Sequence, residues 1–177
     1  MTFFQKLQTL AFDAGLEFLV IGGLAVNFYG VSRETADLDL LVCRDHRDIW
    51  CKLLSGLDYT IQHEATAFIQ FSPPQDSAWP VDFMLVAKPT FDTMVAAVRE
   101  VSMYQASVKI PTLNHLLAMK LHALKHSHAR RFMKDYLEVE NLVRANQVDL
   151  QSEQIRASFL KYGDLELYEK IKLTCAA

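Results

Sequence analysis

Carboxylates stand inside two runs of this chain that otherwise read as buried strand, and no other feature constrains the fold as tightly. The run "DLDLLV" carries Asp37 and Asp39 among leucines, and "VDFMLV" carries Asp82 among Val81, Phe83, Met84 and Leu85. An ionised carboxylate taken into an apolar layer loses its hydration and needs a partner there. Side chains on a strand alternate between faces, so Asp37 and Asp39 share one face while Leu38, Leu40 and Val42 share the other. That spacing sets the two carboxylates about 7 Å apart along the strand, where they can converge on a hard cation. Without one, like charges repel and one pKa rises. If the strand of Asp82 lies beside theirs, three carboxylates close a cluster able to hold two metal ions about 3.5–4 Å apart, the spacing used for in-line phosphoryl displacement. Magnesium suits such a site, because it takes oxygen ligands and leaves positions for water and phosphate. An N-cap followed by a surface strand is the other reading of Asp37 and Asp39, and Asp82 then needs a separate one, a strand edge after Pro80.

The residues upstream fit phosphate chemistry as well. "EFLVI" reads as a short buried strand, it runs into Gly22-Gly23, and "LAVNFYG" reads as a helix ending at Gly30. Backbone amides at the start of a helix can meet a phosphate where no Cβ intervenes, although a tight turn also accounts for a glycine pair. The stretch is neither a Walker A loop nor a GxGxxG fingerprint. Arg33 and Thr35, in the loop before Asp37, add a cation and a hydroxyl.

The remaining pattern reads as an α/β half followed by a helical half. Helices are expected at 3–14, 45–56, 90–98, 112–126, 131–145, 150–161 and 164–173. Strands are expected at 59–63, 67–71 and 81–86, with one or two more in "REVSMYQASVKIP". The expected organisation is an α/β core over residues 1–108 and a C-terminal helical region over 109–177 packed on it. No apolar run approaches the roughly 18 residues of a membrane span, and the first residues lack the pattern of a secretory leader. Three cysteines, Cys43, Cys51 and Cys175, show no paired spacing, which points to reduced thiols and a cytoplasmic protein.

The net charge of −3 argues against a protein coated in phosphate-binding surface. Between Lys109 and Arg131, however, every charged residue is basic (Lys109, Lys120, Lys125, Arg130, Arg131), and His115, His122, His126 and His128 lie among them. That zone asks for an anionic partner, a solvated helix face being the alternative. His122 and His126 share a helix face, but without a HExxH motif they read as surface or core residues. Trp50 and Trp79 read as core or lid residues.

The order strand, Gly-Gly, helix, a gap of 13 residues, then Asp-Leu-Asp on a strand resembles the signature of the DNA polymerase beta-like nucleotidyltransferase superfamily. The resemblance implies that Gly22 and Gly23 hold a triphosphate and that Asp37, Asp39 and Asp82 bind the metals. The wording "GGLAVNFYGVSRETADLDLLV" resembles more narrowly the AbiEii-type branch of minimal nucleotidyltransferases, several of which are toxins of bacterial toxin–antitoxin systems. "NHLLAMKLHALKHSHARRFMKDYLEVENLV" is similar to the helical pair of that branch, with Lys120, Arg131, Lys134 and Asp135 at the corresponding places. Lys120 and Lys134 would neutralise triphosphate charge, and Arg131 and Asp135 would orient groups. The family often carries serine at the position of Gly23. The resemblance spans residues 17–145 and implies a mixed sheet flanked by helices. It further implies a Mg2+-dependent transfer of a nucleoside monophosphate from a nucleoside triphosphate to a hydroxyl of RNA, protein or a small molecule, with an antitoxin as a candidate partner. The rival readings are a non-catalytic nucleotide- or partner-binding protein of the same fold and a metal-dependent phosphohydrolase.

Overall fold

The computed structural model of the chain describes residues 2–126 and 129–175, without the side chains of residues 129–131. The chain divides into two compact units, the first of residues 1–25 and 34–112, the second of residues 26–33 and 113–177.

In the first unit, helix α1 (Phe3–Asp13) opens with a capping box. The Gln5 amide N–H donates to Thr2 Oγ1, and the Thr2 N–H donates to Gln5 Oε1 at 2.9 Å, so two end donors are satisfied locally. Strand β1 (Phe18–Val20) follows, then helix α2 (Gly22–Phe28), whose last turn belongs to the second unit. Strand β2 (Leu38–Cys43) leads through a short 3-10 turn into helix α3 (Arg47–Ser55). Strands β3 (Thr60–Ala65), β4 (Phe68–Ser72) and β5 (Val81–Val86) complete the sheet. Helix α4 (Lys88–Val95) and the hairpin of β6 (Val98–Met103) and β7 (Ala106–Pro111) close the unit.

The main sheet has the order β1-β2-β5-β4-β3. Only β2 and β5 run parallel, and the other pairs are antiparallel. Leu38, Leu40, Val42, Val81, Phe83 and Leu85 are buried on one face of the central pair. Trp50 of α3 is fully buried, with its ring 5.3 Å from Phe83 and 5.9 Å from Phe18 in edge-on geometry. This core clamps β1, β2 and β5 together, and so fixes what stands on their opposite face.

In the second unit, helices α5 (Leu113–His126), α6 (Ala129–Ala145), α7 (Glu153–Tyr162) and α8 (Leu165–Cys175) bury Leu121, Val139, Leu142, Phe159, Tyr168 and Ile171. The segment 26–33 is tied to them by Asn146, whose Nδ2 donates to the Tyr29 carbonyl at 2.8 Å. Among the described residues no helix is long and apolar enough to cross a membrane.

The expected elements are present, with small shifts at their ends. The β3 and β4 strands run one to two residues later than the spacing predicts, and the last two expected strands form one hairpin. Met103 pairs with Ala106, so the hairpin turn is Tyr104-Gln105, with φ of 48° and 62°. Both turn residues occupy the left-handed region of a type I′ turn without being Gly, Asn or Asp, at a cost of roughly 1–2 kcal/mol each. The variant Gln105→Gly is expected to raise Tm by about 2–4 °C, since ~1 kcal/mol of strain is relieved. A thermal unfolding curve checks this, and a fall in Tm would contradict it.

Candidate active site

The parallel pairing of β2 and β5 sets Asp39 directly opposite Asp82. Their neighbours in sequence, Leu38, Leu40, Val81 and Phe83, are buried in the core, so alternation forces both carboxylates to the other face. Asp37 precedes the first residue of β2 by one position and therefore sits in the loop, not on the strand face expected for it. It joins the group all the same. One carboxylate oxygen from each of Asp37, Asp39 and Asp82 lies within 4.8 Å of the other two, and all three residues are half-buried. Among the described residues this is the one group of three or more His, Cys, Asp or Glu side chains placed to share an ion.

Neighbouring polar groups fix these carboxylates. Thr35 Oγ1 lies 3.1 Å from Asp37 Oδ1 and donates toward it. Gln70 Nε2 donates to Asp82 Oδ2 at 2.9 Å. Gln70 is the register partner of Asp82 on β4, so Gln70, Asp82 and Asp39 form one row across three adjacent strands. Sequence reasoning did not single out Gln70. The signal was the alternation of buried Ile69 and Phe71, which turns Gln70 to the face of Asp82.

Gly22 is the other half of the arrangement. The Ile21 N–H donates to the Asp39 carbonyl at 2.9 Å, extending the β1–β2 ladder up to the glycine pair. Gly22 has φ of +60°, and a Cβ built on it would fall within the Asp39 carboxylate group. A side chain is excluded here twice over, by backbone conformation and by space. Gly23 follows at the start of α2.

The donor set fits a hard divalent cation. Three carboxylates gathered this closely, with only oxygen donors, suit magnesium, manganese or calcium and not a soft metal. A cation among them would offset the mutual repulsion of the three carboxylates.

The remaining residues marked by sequence lie in the second unit, around a carboxylate that sequence reasoning missed. Glu138, on α6, accepts from Arg33 Nη1 at 2.7 Å and pairs with Lys120 Nζ at 2.5 Å. Lys120 also lies 3.5 Å from Asp135, and both acids are buried. Asn27 holds the Arg33 backbone at both ends, accepting from its N–H at 2.8 Å and donating to its carbonyl at 3.0 Å. Glu138 follows Asp135 by three residues, so both fall on one helix face. Lys134 is exposed. The side chain of Arg131, and the whole of His128, lie outside the described residues. Thus Asp37, Asp39, Asp82, Thr35 and Gly22 come together in one unit, and in the other Arg33 and Lys120 gather on Glu138, with Asp135 beside Lys120.

No protein-family model and no curated protein matches this sequence. Solved structures do. A crystal structure of ANT(2″)-Ia in complex with adenylyl-2″-tobramycin superposes with a TM-score of 0.66 at 15% identity, covering 89% of this chain and 95% of that one. An antigenic nucleotidyltransferase-like protein from Paracoccidioides brasiliensis gives 0.60 at 14% identity, over 96% and 88% of the two chains. The lincosamide antibiotic adenylyltransferase LnuA, bound to lincomycin, gives 0.55 at 15% identity, over 78% and 93%. The chain therefore has the nucleotidyltransferase fold, a mixed sheet flanked by helices with a helical C-terminal region.

Three outcomes follow from this geometry. Millimolar magnesium is expected to raise Tm by on the order of 5 °C, and Asp82→Asn to remove that rise. The Gly22→Ala variant is expected to lose the same rise although it keeps every carboxylate; magnesium titrations followed by thermal unfolding check both. Glu138→Ala, which takes from the half-buried Lys120 ammonium its 2.5 Å partner and leaves it Asp135 at 3.5 Å, is expected to cost about 1.5–3 kcal/mol in urea unfolding.

Proposed function

We propose that this chain is a magnesium-dependent nucleotidyltransferase that moves a nucleoside monophosphate from a nucleoside triphosphate to an acceptor hydroxyl. The observation that carries the reading is the carboxylate cluster of Asp37, Asp39 and Asp82 built against Gly22, where no side chain fits. The neighbours of the same fold support the reaction class, LnuA being a lincosamide antibiotic adenylyltransferase by name and ANT(2″)-Ia being in complex with adenylyl-2″-tobramycin.

Asp37, Asp39 and Asp82 would hold magnesium, which when bound supplies charge for the phosphates and lowers the pKa of the attacking group. The acceptor oxygen forms a bond to the α-phosphorus, the bond from that phosphorus to the α,β-bridging oxygen breaks, and pyrophosphate leaves. Asp82 takes the acceptor proton, its carboxylate held in place by the Gln70 amide. Gly22 and Gly23 bring backbone close to the phosphates, and Thr35 steadies Asp37. Arg33, Thr35, Lys120 and Lys134 stand as phosphate-binding candidates, the first two by their place in the loop before Asp37, and Lys120 and Lys134, with Arg131 and Asp135 as orienting residues, on the resemblance in sequence. So do membership of the AbiEii-type branch, a toxin role and an antitoxin partner. Free thiols at Cys43, Cys51 and Cys175 support a reducing, cytoplasmic setting.

Each of the four NTPs labelled at the α-phosphate, incubated with magnesium and with RNA, protein, tobramycin or lincomycin, tests the reading. Label is expected to move to one acceptor with release of pyrophosphate, and Asp39→Ala to reduce transfer by at least about 100-fold. Release of inorganic phosphate would replace the transferase with a phosphohydrolase. Magnesium-dependent NTP binding without transfer to any acceptor would leave a non-catalytic protein of the same fold.

A further inference from the structure

The first unit also holds a concave site whose lining includes none of the three carboxylates. Aromatic rings converge on a pocket of about 220 Å³ lined by Phe3, Phe4, Tyr59, Trp79 and Tyr104. The ring of Tyr104 lies parallel to that of Phe4, 5.5 Å away at 8°. Trp79 stands edge-on to both, 5.5 Å from Tyr104 and 6.5 Å from Phe4. Phe3 tilts over Tyr59 with ring centres 5.8 Å apart, closing a further wall.

We propose that this pocket binds a neutral, planar aromatic molecule of one or two fused rings. Its size sets the upper limit, since an apolar cavity of about 150 Å³ takes benzene. Its walls set the shape, because parallel and perpendicular ring faces favour a flat guest that stacks on one and meets the edge of another. The lack of a charged side chain among the described lining residues sets the charge, an ion having no counter-charge there to offset lost hydration. The wall polar groups are partly committed: Tyr59 Oη donates to the Trp79 carbonyl at 2.9 Å, and Thr2 Oγ1 caps α1. Ser77, exposed at the rim, can answer a ring N–H or O–H on the guest.

The hairpin turn gives an independent reason to treat the pocket as built. Tyr104 and Gln105 both hold positive φ where glycine or asparagine is usual, and the turn presents the Tyr104 ring to Phe4 and Trp79 while leaving the residue 51% exposed. Strained backbone that carries a half-exposed ring over a cavity is a feature to be explained by what the ring contacts. The Gln5 side chain secures the turn, its Nε2 donating to the Gln105 carbonyl at 3.0 Å.

The probe for this site is 6-fluoroindole, followed by 19F NMR on the full chain, with the 15N-labelled chain read in parallel. The chain has only two tryptophans, and Trp50 is fully buried in the core, so the two indole N–H resonances separate the pocket from the rest of the fold. Saturable binding below about 1 mM is expected, shifting the Trp79 resonance and leaving that of Trp50 in place. Tyr104→Ala, which removes a wall, and Ala78→Phe, which fills the space, are each expected to weaken binding at least tenfold. The proposal is overturned if the native chain shows no saturable shift, if both indole resonances or neither respond, or if folded variants bind as the native chain does. A filled variant that gains thermal stability beside a native chain that binds nothing would make the pocket mere imperfect packing. None of these readouts depends on nucleotidyl transfer.

Discussion

The parallel pairing of β2 with β5 sets Asp39 against Asp82, and two ionised carboxylates at that spacing repel unless something positive joins them. The apolar face of the same strands enforces the pairing. Leu38, Leu40, Val81 and Phe83 are buried, Phe83 against Trp50, and sliding either strand by one residue would exchange those side chains with the carboxylates. The core therefore supplies the free energy that holds like charges together, and the site inherits its geometry from hydrophobic register. Gly22 belongs to the same constraint, since the ladder that fixes Ile21 on Asp39 brings the glycine backbone onto the Asp39 carboxylate.

The second unit handles charge in the opposite way. Arg33 and Lys120 meet Glu138 and Asp135, so cations and anions are gathered in equal number and largely out of water. Such a group adds little net stability over apolar packing, but it is intolerant of losing one member. What it secures is arrangement: Arg33 ends the 26–33 segment, and its pairing with Glu138 ties that segment to α6.

Much of this was legible in the sequence. Alternation around Asp37, Asp39 and Asp82 announced both the strands and the cluster, because a carboxylate in an apolar run needs a partner to offset its lost hydration. The glycine pair was legible as a turn, while its contact with Asp39 was not, since nothing local reports which strand lies beneath a turn. Asp37 was placed on a strand because its spacing from Asp39 is two; the ladder begins only at Leu38. Glu138 and Gln70 escaped notice for a shared reason. Each is an ordinary polar residue whose meaning comes from a partner distant in sequence, Arg33 for one and Asp82 for the other. The aromatic pocket was equally invisible, being assembled from α1, the stretch before β3, the approach to β5 and a hairpin turn.

The division of the chain has a bearing on how it is made. The 26–33 segment emerges from the ribosome among residues of the first unit, yet its companions in the second unit begin at Leu113. About 80 residues must follow before the first of those companions is made, a wait of roughly 4–16 s at ~5–20 residues per second. During that interval Tyr29 and Val31, both buried in the finished structure, stand without the rest of their unit. Vectorial synthesis thus gives this chain a period in which an apolar segment is open to chaperones, and a fragment beginning at residue 113 would lack a piece of its own unit.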